Sequence, residues 1–297
     1  MDSQNLLFII GNPRSGTSLF RIMLTNHSDI CVPPECGFIH WWSAKYGNWS
    51  KKDNTAQSIS NFINDLKTSK KIETWNLNFD ELKVSILNKQ PQDYATLCKL
   101  VIKFYARPLS STLKYLGDKN NYYISHLDEL YKISKSAKFL FITRDGRDVA
   151  CSYKNIKKVK SNSPYKPNLP CSIESIANEW STNLYIIESF KNKLNTDQKY
   201  SIRYEDLLTN TENTLQTICD FLNIEFDENM LSYADNNKKR RQEPEELMAW
   251  KLKTYQKPDT SNIGKYKLEL SRDEISTFEK IAGNALKLNN YKLEDEA

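Results

Sequence analysis

A loop bounded by two glycines follows the first apolar run and most constrains the fold of this chain. Residues 6–10 read Leu-Leu-Phe-Ile-Ile, and residues 11–18 read Gly-Asn-Pro-Arg-Ser-Gly-Thr-Ser. A buried strand, such a loop and a following helix form the frame of a P-loop, which holds phosphate groups on backbone N–H groups. The usual loop lysine is absent, because Thr17 occupies its position, and the cation Arg14 lies inside the loop instead.

Apolar runs alternate with stretches of helical spacing along the chain. Strands are predicted at residues 6–10, 29–32, 114–117, 138–143 and 199–203. Helices are predicted at residues 17–26, 172–194, 211–222 and 271–288, with one opening near Arg147 and a mostly helical excursion over residues 38–110. The most linker-like stretches are residues 157–170 and 235–260. We predict one α/β domain over residues 1–297, a three-layer sandwich with a central parallel sheet whose ligand binds at the carboxyl ends of the strands.

The composition argues against several classes of protein. The chain has 297 residues with 42 basic and 37 acidic side chains, a net charge of +5, and the charges are interspersed, so we expect no nucleic-acid partner. No apolar run approaches about 18 residues, so no membrane span is expected. No signal peptide is recognisable, which favours a cytoplasmic location. The six cysteines show no metal-binding spacing, and we expect no metal.

Four further segments carry polar side chains at or near predicted strand ends. They read Gly117-Asp-Lys119, Arg144-Asp-Gly-Arg-Asp-Val-Ala-Cys-Ser152, Arg203-Tyr204-Glu205-Asp206-Leu207 and Ser261-Asn-Ile-Gly264-Lys265-Tyr266. Arg144 and Ser152 are spaced to share one phosphate, and Lys119 can meet the same ligand from its own strand end. Each segment alone also has a simpler interpretation, as a surface lysine or as a solvated arginine beside a helix-capping Asp145 or Asp148.

The order and spacing of these segments resemble the sulfotransferases that use 3′-phosphoadenosine 5′-phosphosulfate (PAPS). The resemblance covers nearly the whole chain through the motifs P-R-S-G-T-S-L-F, P-P-E, G-D-K, K-F-L-F-I-T-R-D-G-R-D-V, R-Y-E-D-L and I-G-K-Y. It implies transfer of a sulfuryl group to a hydroxyl, less readily an amine, of a small-molecule or carbohydrate acceptor. It also implies that the excursion over residues 38–110 covers the acceptor side, and it leaves the oligomeric state open.

The resemblance implies that the first loop and one lysine hold the transferred group. The 5′-phosphosulfate would lie on Ser15, Gly16, Thr17 and Ser18. Arg14 and Lys119 would neutralise the charge that grows on the bridging oxygen as sulfur leaves phosphate.

The remaining motif residues are implied to hold the nucleotide. Arg144 and Ser152 align with ligands of the 3′-phosphate, Tyr204 with a residue near the adenine, and Lys265 with one that closes over the cofactor. No metal is needed in such a reaction.

Glu35 is the candidate general base, because the acceptor must lose a proton. The tyrosylprotein and many carbohydrate members of the family use a glutamate in this region, whereas the small-molecule cytosolic members use a histidine, so His40 and His126 are rivals. A salt-bridged loop carboxylate is the alternative for Glu35, and His27 is interpreted as structural. Cys36-Gly37 stands where the tyrosylprotein enzymes have an arginine, which argues against a peptide-tyrosine acceptor.

Two other classes of protein compete with this interpretation. A kinase or NTPase would need a loop lysine and an acidic strand end for Mg²⁺, whereas position 17 is threonine and the clearest later strand ends in Arg144. A nucleotide-binding protein without catalysis would keep the loop but would have no use for Glu35 or Lys119. Convergence of these two residues and Arg14 on one cleft would favour the enzyme.

The sequence leaves three smaller points open. Trp41, Trp42 and Trp49 either line an acceptor pocket or pack on the core. The basic run at residues 238–241 either faces an anionic acceptor or is a solvated face. Asn120-Asn121 stands where Thr-Pro is common in the family, which changes how the preceding lysine is aimed.

Overall fold

A five-stranded, wholly parallel sheet forms the centre of the computed structural model, which describes residues 4–108, 112–240 and 242–294. The strands are β1 Asn5–Ile10, β2 Ile30–Cys31, β3 Tyr115–Lys119, β4 Lys138–Thr143 and β5 Lys199–Arg203. Their order in the sheet is β2-β3-β1-β4-β5. The register pairs Ile9 with Lys119 on one side and with Leu140 on the other, so the strands end along one common edge.

Helices connect the strands and cover both faces of the sheet. The α-helices of the described residues are α1 Thr17–Thr25, α2 Phe38–Trp41, α3 Ser43–Tyr46, α4 Ala56–Lys67, α5 Phe79–Lys89, α6 Tyr94–Ala106, α7 Leu127–Ile133, α8 Gly146–Lys158, α9 Ile173–Lys191, α10 Tyr204–Thr209, α11 Thr211–Leu222, α12 Tyr233–Arg240, α13 Tyr266–Glu269 and α14 Arg272–Leu288. Short 3₁₀ helices lie at Lys51–Asp53, Ile72–Trp75, Asn121–His126, Thr196–Gln198, Glu228–Met230, Glu245–Trp250, Leu252–Tyr255 and Thr260–Asn262. Within the described ranges, no helix has the length and apolar character needed to cross a bilayer.

The alternation of side chains along β1 divides the core into two layers. Leu6, Phe8 and Ile10 belong to an apolar cluster with helices α4–α9 and α14. Leu7 and Ile9 belong to a second cluster with α1 and α10–α12. Successive strand residues point to opposite faces, so a strand segment buried on both faces must be apolar throughout, as β1 is from Leu6 to Ile10. The predicted three-layer α/β sandwich is confirmed.

Two strands differ in extent from the sequence prediction. The prediction ends β3 at Gly117, but the strand continues through Asp118 and Lys119 because it is hydrogen-bonded to β1. Polar side chains do not end a strand whose backbone groups are paired in this way. β2 has only two residues, Ile30 and Cys31, because it lies at the sheet edge and pairs with β3 alone.

Of the two stretches predicted to be most linker-like, one contains regular helices, whereas residues 157–170 are mainly irregular after α8 ends at Lys158. Residues 235–260 contain most of α12 and two 3₁₀ helices. Leu247 and Trp250 from this stretch pack on Ile156 and on residues of the other stretch, 157–170, in a small apolar cluster. Sequence patterns miss this contact because the apolar residues are few and follow no regular period.

Gly146 opens α8 at a point where a methyl group has no room. A Cβ at this position would lie 2.6 Å from both Phe278 and Trp180. We expect Gly146→Ala to lower the free energy of unfolding by about 1–3 kcal/mol, the usual cost of overpacking, as measured by urea denaturation. Gly283→Ala in α14 is the matched control, because its Cβ would approach nothing nearer than Leu293 at 3.7 Å. An equal loss in both variants would contradict the packing argument.

Candidate active site

A cleft of about 950 Å³ opens at the carboxyl edge of the sheet and collects the residues singled out from the sequence. Nine of them line it: Arg14, Gly16, Thr17, Ser18, Glu35, Arg144, Ser152, Tyr204 and Lys265. Ser15 and Lys119 are fully buried beside residues that line the cleft. Glu35, Arg14 and Lys119 therefore converge on one region of the molecule.

The glycine-bounded loop turns sharply before α1. Arg14 and Gly16 both have positive φ angles, 68° and 90°, and the N–H of Ser15 donates to the carbonyl of Asn12 at 3.1 Å. A left-handed residue other than glycine costs about 1–3 kcal/mol, so the turn stores strain at Arg14. At Gly16 a side chain is also excluded by space, because a Cβ would lie 2.3 Å from the ring of Tyr204.

Arg14 is partly buried and points across the cleft toward α8. Its Nε donates to the Oγ of Ser152 at 3.1 Å, and its Nη2 donates to the carbonyl of Trp250 at 3.1 Å. Burial and the nearby guanidinium of Arg144 lower the pKa of Arg14 to about 10. The side chain remains charged at neutral pH, and its hydrogen-bond acceptors are uncharged.

Arg144 lies beside it, directly after β4. It donates to the carbonyls of Arg14 at 3.2 Å and Asn262 at 2.7 Å, and its guanidinium carbon lies 4.5 Å from the centre of the Tyr204 ring. Two buried atoms here, the Nε of Arg144 and the Oγ of Ser15, have no hydrogen-bond partner. Among the described residues neither guanidinium forms an ion pair with a carboxylate. Two neighbouring cations with spare donors make an anion site.

Glu35 and Lys119 form an ion pair on the other side of the loop. The Lys119 ammonium contacts the Glu35 carboxylate and lies 3.3 Å from the Oγ of Ser18. Lys71 contacts the other carboxylate oxygen at 2.7 Å. Burial alone would raise the pKa of Glu35, but Lys119, Lys71 and a third ammonium nearby, that of Lys251, hold it well below its usual range. Burial lowers the pKa of Lys119 to about 8.

A second buried carboxylate, Glu243, was missed at the sequence level. Its oxygens contact Arg21 at 2.8 Å and Lys251 at 3.0 Å, and the three side chains are 0%, 1% and 6% exposed respectively. Burial raises the pKa of Glu243, but the two cations outweigh it and bring the pKa to about 2. One signal was available, because Arg21 stands between Phe20 and Ile22 within the predicted helix after the loop and needs a partner if buried.

The motif after β4 also anchors the last loop of the cleft. The two carboxylate oxygens of Asp148 accept hydrogen bonds from the backbone N–H groups of Gly264 at 2.8 Å and Tyr266 at 3.0 Å. Lys265 is thereby held at the cleft with its ammonium 3.7 Å from Glu269. Burial lowers the pKa of Lys265.

The three histidines lie away from the cleft surface. His40 and His126 stack with ring centres 4.0 Å apart, and the hydroxyl of Tyr122 is hydrogen-bonded to the Nδ1 of His40 at 3.1 Å. Neither belongs to the described residues that line the cleft. His27 is buried and its Nε2 donates to the carbonyl of Glu225 at 2.7 Å, which fits the predicted structural role.

Of the three tryptophans left open by the sequence, one lines the cleft and two pack in the core. Trp41 lines the cleft, whereas Trp49 is buried and Trp42 packs against the core.

The basic run at residues 238–241 is described only in part. Lys238 is exposed 3.9 Å from Asp235 and does not line the cleft. The side chains of the other three residues lie outside the described part of the chain.

The parallel sheet, the loop without lysine and the paired guanidinium groups define a P-loop-like protein built to hold an anion. Residues 7–228 match the model of the Sulfotransferase family. The chain belongs to the sulfotransferase family.

Named relatives agree with this assignment, and solved structures share the fold. The chain is 26% identical over 233 residues to protein-tyrosine sulfotransferase 1 of Danio rerio, a match covering 77% of this chain and 56% of the relative. The chain thus spans about half the length of that relative. Its fold is similar to a sulfotransferase domain from the curacin biosynthetic pathway, with a TM-score of 0.61 and 18% identity, over 98% of this chain and 99% of that domain. It is also similar to a mouse sulfotransferase complexed with PAP, with a TM-score of 0.51 and 12% identity, over 98% of this chain and 86% of the mouse chain.

Removal of the Glu243 carboxylate should leave two buried cations, Arg21 and Lys251, without their negatively charged partner. We expect Glu243→Gln to lower the free energy of unfolding by about 3–5 kcal/mol in urea denaturation at neutral pH. Because the folded-state pKa of about 2 lies below the ordinary 4.5, this stabilisation is complete above pH 4.5 and is lost as the pH falls toward 2. The difference between wild type and variant should therefore shrink over that range.

Glu246→Gln, three residues further on and exposed, is the matched control and should change the free energy of unfolding by less than about 0.5 kcal/mol. Equal losses in the two variants would show that the ion pairs of Glu243 do not stabilise the fold. A difference between wild type and Glu243→Gln that is independent of pH down to 3 would show the same.

Proposed function

We propose that the chain transfers a sulfuryl group from PAPS to an acceptor hydroxyl. The observation that carries this proposal is a pair of adjacent guanidinium groups, that of the buried Arg144 and that of the partly buried Arg14. They lie at a P-loop-like turn with no carboxylate partner among the described residues. Membership of the sulfotransferase family supports it. The PAP bound to the mouse sulfotransferase of the same fold supports the choice of donor.

The residues of the cleft fit such a donor. The unpartnered Oγ of Ser15 and Nε of Arg144 are buried polar atoms that an anion can satisfy. The loop N–H groups and Arg14 would hold the phosphosulfate end, while Arg144 and Ser152 would hold the 3′-phosphate. The ring of Tyr204, which packs between Gly16 and Arg144, would lie near the adenine. Lys265 would close the cleft from its anchored loop.

In the proposed reaction, Lys119 and Arg14 stabilise charge, and Glu35 accepts a proton. When bound, PAPS supplies the sulfuryl group and a bisphosphate leaving group. Lys119 and Arg14 place positive charge where negative charge develops, and such reactions depend chiefly on positioning and electrostatics. Glu35 is ionised and accepts the proton of the acceptor hydroxyl. Its ion pair with Lys119 makes it a weak base, so any contact that draws the ammonium toward an anion strengthens it.

The alternative of a magnesium-dependent kinase has less support from the residues present. The loop position of the P-loop lysine is Thr17, and β4 leads into Arg144. Asp118, near the end of β3, is fully buried and accepts a hydrogen bond from the hydroxyl of Tyr123. Burial raises the pKa of Asp118 to about 7. This carboxyl group faces the core and does not line the cleft.

The acceptor end of the cleft is aromatic and basic. Trp41, Tyr122 and Tyr165 line it together with Lys70 and Lys71. Aromatic rings stack well on sugars and other rings, so we propose a hydroxyl of a small molecule or carbohydrate as acceptor. The names of the curated relatives make a tyrosine phenol the second candidate. The cytoplasmic location stays a prediction.

Calorimetric titration with 3′-phosphoadenosine 5′-phosphate (PAP) tests the donor site. We expect PAP to bind without metal and more tightly than ATP with Mg²⁺, because the site offers guanidinium groups in place of magnesium ligands. Arg144→Ala should weaken PAP binding about 10- to 100-fold through the loss of charge-assisted hydrogen bonds. Arg272→Ala, at an exposed position of α14, is the control and should bind PAP as wild type does. Preference for ATP with Mg²⁺ would favour a kinase instead.

The pH dependence of kcat/KM tests the assignment of Glu35 and Lys119. With the best acceptor from a screen of phenols and sugars, we expect a flat profile from about pH 5.5 to 7.5, because the pKa of Glu35 is held low. Activity should fall above about pH 8 as Lys119, whose pKa is lowered from 10.5 to about 8, loses its proton. A histidine base would instead give an acid limb near its ordinary pKa of about 6.5.

Two variants separate these groups. Glu35→Gln should lower kcat by about 10²- to 10⁴-fold while PAP still binds, and Lys119→Arg should move the alkaline limb to higher pH. An acid limb near pH 6.5 in the wild-type profile would show that Glu35 is not the base. Full activity of Glu35→Gln would show the same.

A further inference from the structure

A cluster of three potential metal ligands lies outside the cleft lining. The side chains of His40, His126 and Glu129 bring their ligand atoms within 4.8 Å of one another. We infer that these three residues form a binding site for a divalent transition-metal cation such as Zn²⁺. None of the three residues is among the described residues that line the cleft, and the occupancy of the site can be measured without any catalytic activity.

The fold brings the ligands together from separate segments. His40 lies in α2, His126 ends the 3₁₀ helix Asn121–His126, and Glu129 lies in the first turn of α7. His126 and Glu129 are three residues apart, so they are neighbours on one face of the helical segment. The two imidazole rings stack with centres 4.0 Å apart and an interplanar angle of 30°. Because the lone pair of each ring nitrogen lies in the plane of its ring, one of the two stacked imidazoles must rotate out of the stack for both to bind a common ion, and the backbone already places all three ligand atoms within 4.8 Å of one another.

The donor set suits a borderline-soft cation. Two imidazole nitrogens and one carboxylate oxygen are a ligand combination that Zn²⁺ accepts, with a further position left for water. The hydroxyl of Tyr122, 3.1 Å from the Nδ1 of His40, is the kind of partner that orients a metal-ligating imidazole. Both histidines are half-buried and Glu129 is exposed, so the site is reachable from solvent and partly shielded from it.

The cluster connects the two segments that follow the proposed catalytic residues. His40 lies shortly after Glu35 on one segment, and His126 lies shortly after Lys119 on the other. Trp41, beside His40 in the chain, and Tyr122, in contact with both imidazoles, line the acceptor end of the cleft. A bound ion would link these two segments behind Trp41 and Tyr122 at the acceptor end of the cleft. If the chain has the proposed function, we therefore expect bound metal to change the KM for the acceptor and to leave the affinity for PAP unchanged.

The remaining cysteine and histidine side chains, which are of types that can bind zinc, determine the choice of control. Cys171 is an exposed thiol, whereas the other five cysteines are buried. The Nε2 of His27 donates to the carbonyl of Glu225, and its Nδ1 accepts from the backbone N–H of Asp29, so that ring offers no free nitrogen. Cys171→Ser is therefore the matched control for adventitious binding.

The test is a calorimetric titration of the tag-free, EDTA-treated chain with ZnCl₂ alone. We expect one site per chain and a rise in unfolding temperature on saturation, because the ion binds only the folded arrangement. His126→Gln and Glu129→Gln should each weaken zinc binding at least about tenfold, while Cys171→Ser should bind as wild type does. Co²⁺ in place of Zn²⁺ should give a visible absorption band that the two ligand variants lose.

The affinity of each variant for PAP shows whether that variant is folded. If His126→Gln or Glu129→Gln does not fold, His40→Gln takes its place. The inference is overturned if wild type binds no zinc at micromolar concentrations, or if the double variant His40→Gln/His126→Gln binds zinc as wild type does. Loss of binding in Cys171→Ser would assign the ion to the thiol and overturn it equally.

Discussion

The excess of positive charge at the carboxyl edge of the sheet, most of it on buried side chains, determines what the cleft can bind. Two carboxylates, Glu35 and Glu243, each hold two cations: Lys71 and Lys119 for the first, Arg21 and Lys251 for the second. Arg14 and Arg144 are left with carbonyl, hydroxyl and aromatic partners. A buried cation without a counter-charge costs several kcal/mol, so the buried Arg144, with the partly buried Arg14 beside it, gives this edge an affinity for anions.

The missing P-loop lysine is explained by the neighbouring strand. Lys119 ends β3 opposite Ile9 of β1 and reaches the Oγ of Ser18 in the first turn of α1, so its charge arrives at the loop from the side. Thr17, in the usual lysine position, approaches the amide oxygen of Asn121 at 3.3 Å. A lysine on the loop would face only the phosphates. A lysine on β3 also touches Glu35, so in the proposed reaction one ammonium group would contact both the leaving group and the base.

The sequence predicted what depends on local pattern and on the geometry of parallel sheets. Apolar runs located β1, β4 and β5, and strand ends that share one edge explain why Arg14, Arg144 and Lys119 converge. It did not predict Glu243, because that carboxylate meets Arg21 across 222 positions of chain and lies in a polar stretch without periodicity. The extent of β3 was also missed, because pairing with a neighbouring strand, and not side-chain polarity, decides where a strand stops.

The guanidinium groups that would hold the donor also hold the wall of the cleft. Arg14 donates to the carbonyl of Trp250 and Arg144 to the carbonyl of Asn262, both in the stretch that follows α12. A hydrogen bond from a guanidinium to phosphate is stronger than one to a neutral carbonyl, so a bound anion competes with this stretch for the same donors. Donor binding and the packing of residues 250–262 are therefore coupled in free energy, and the coupling is equal in both directions.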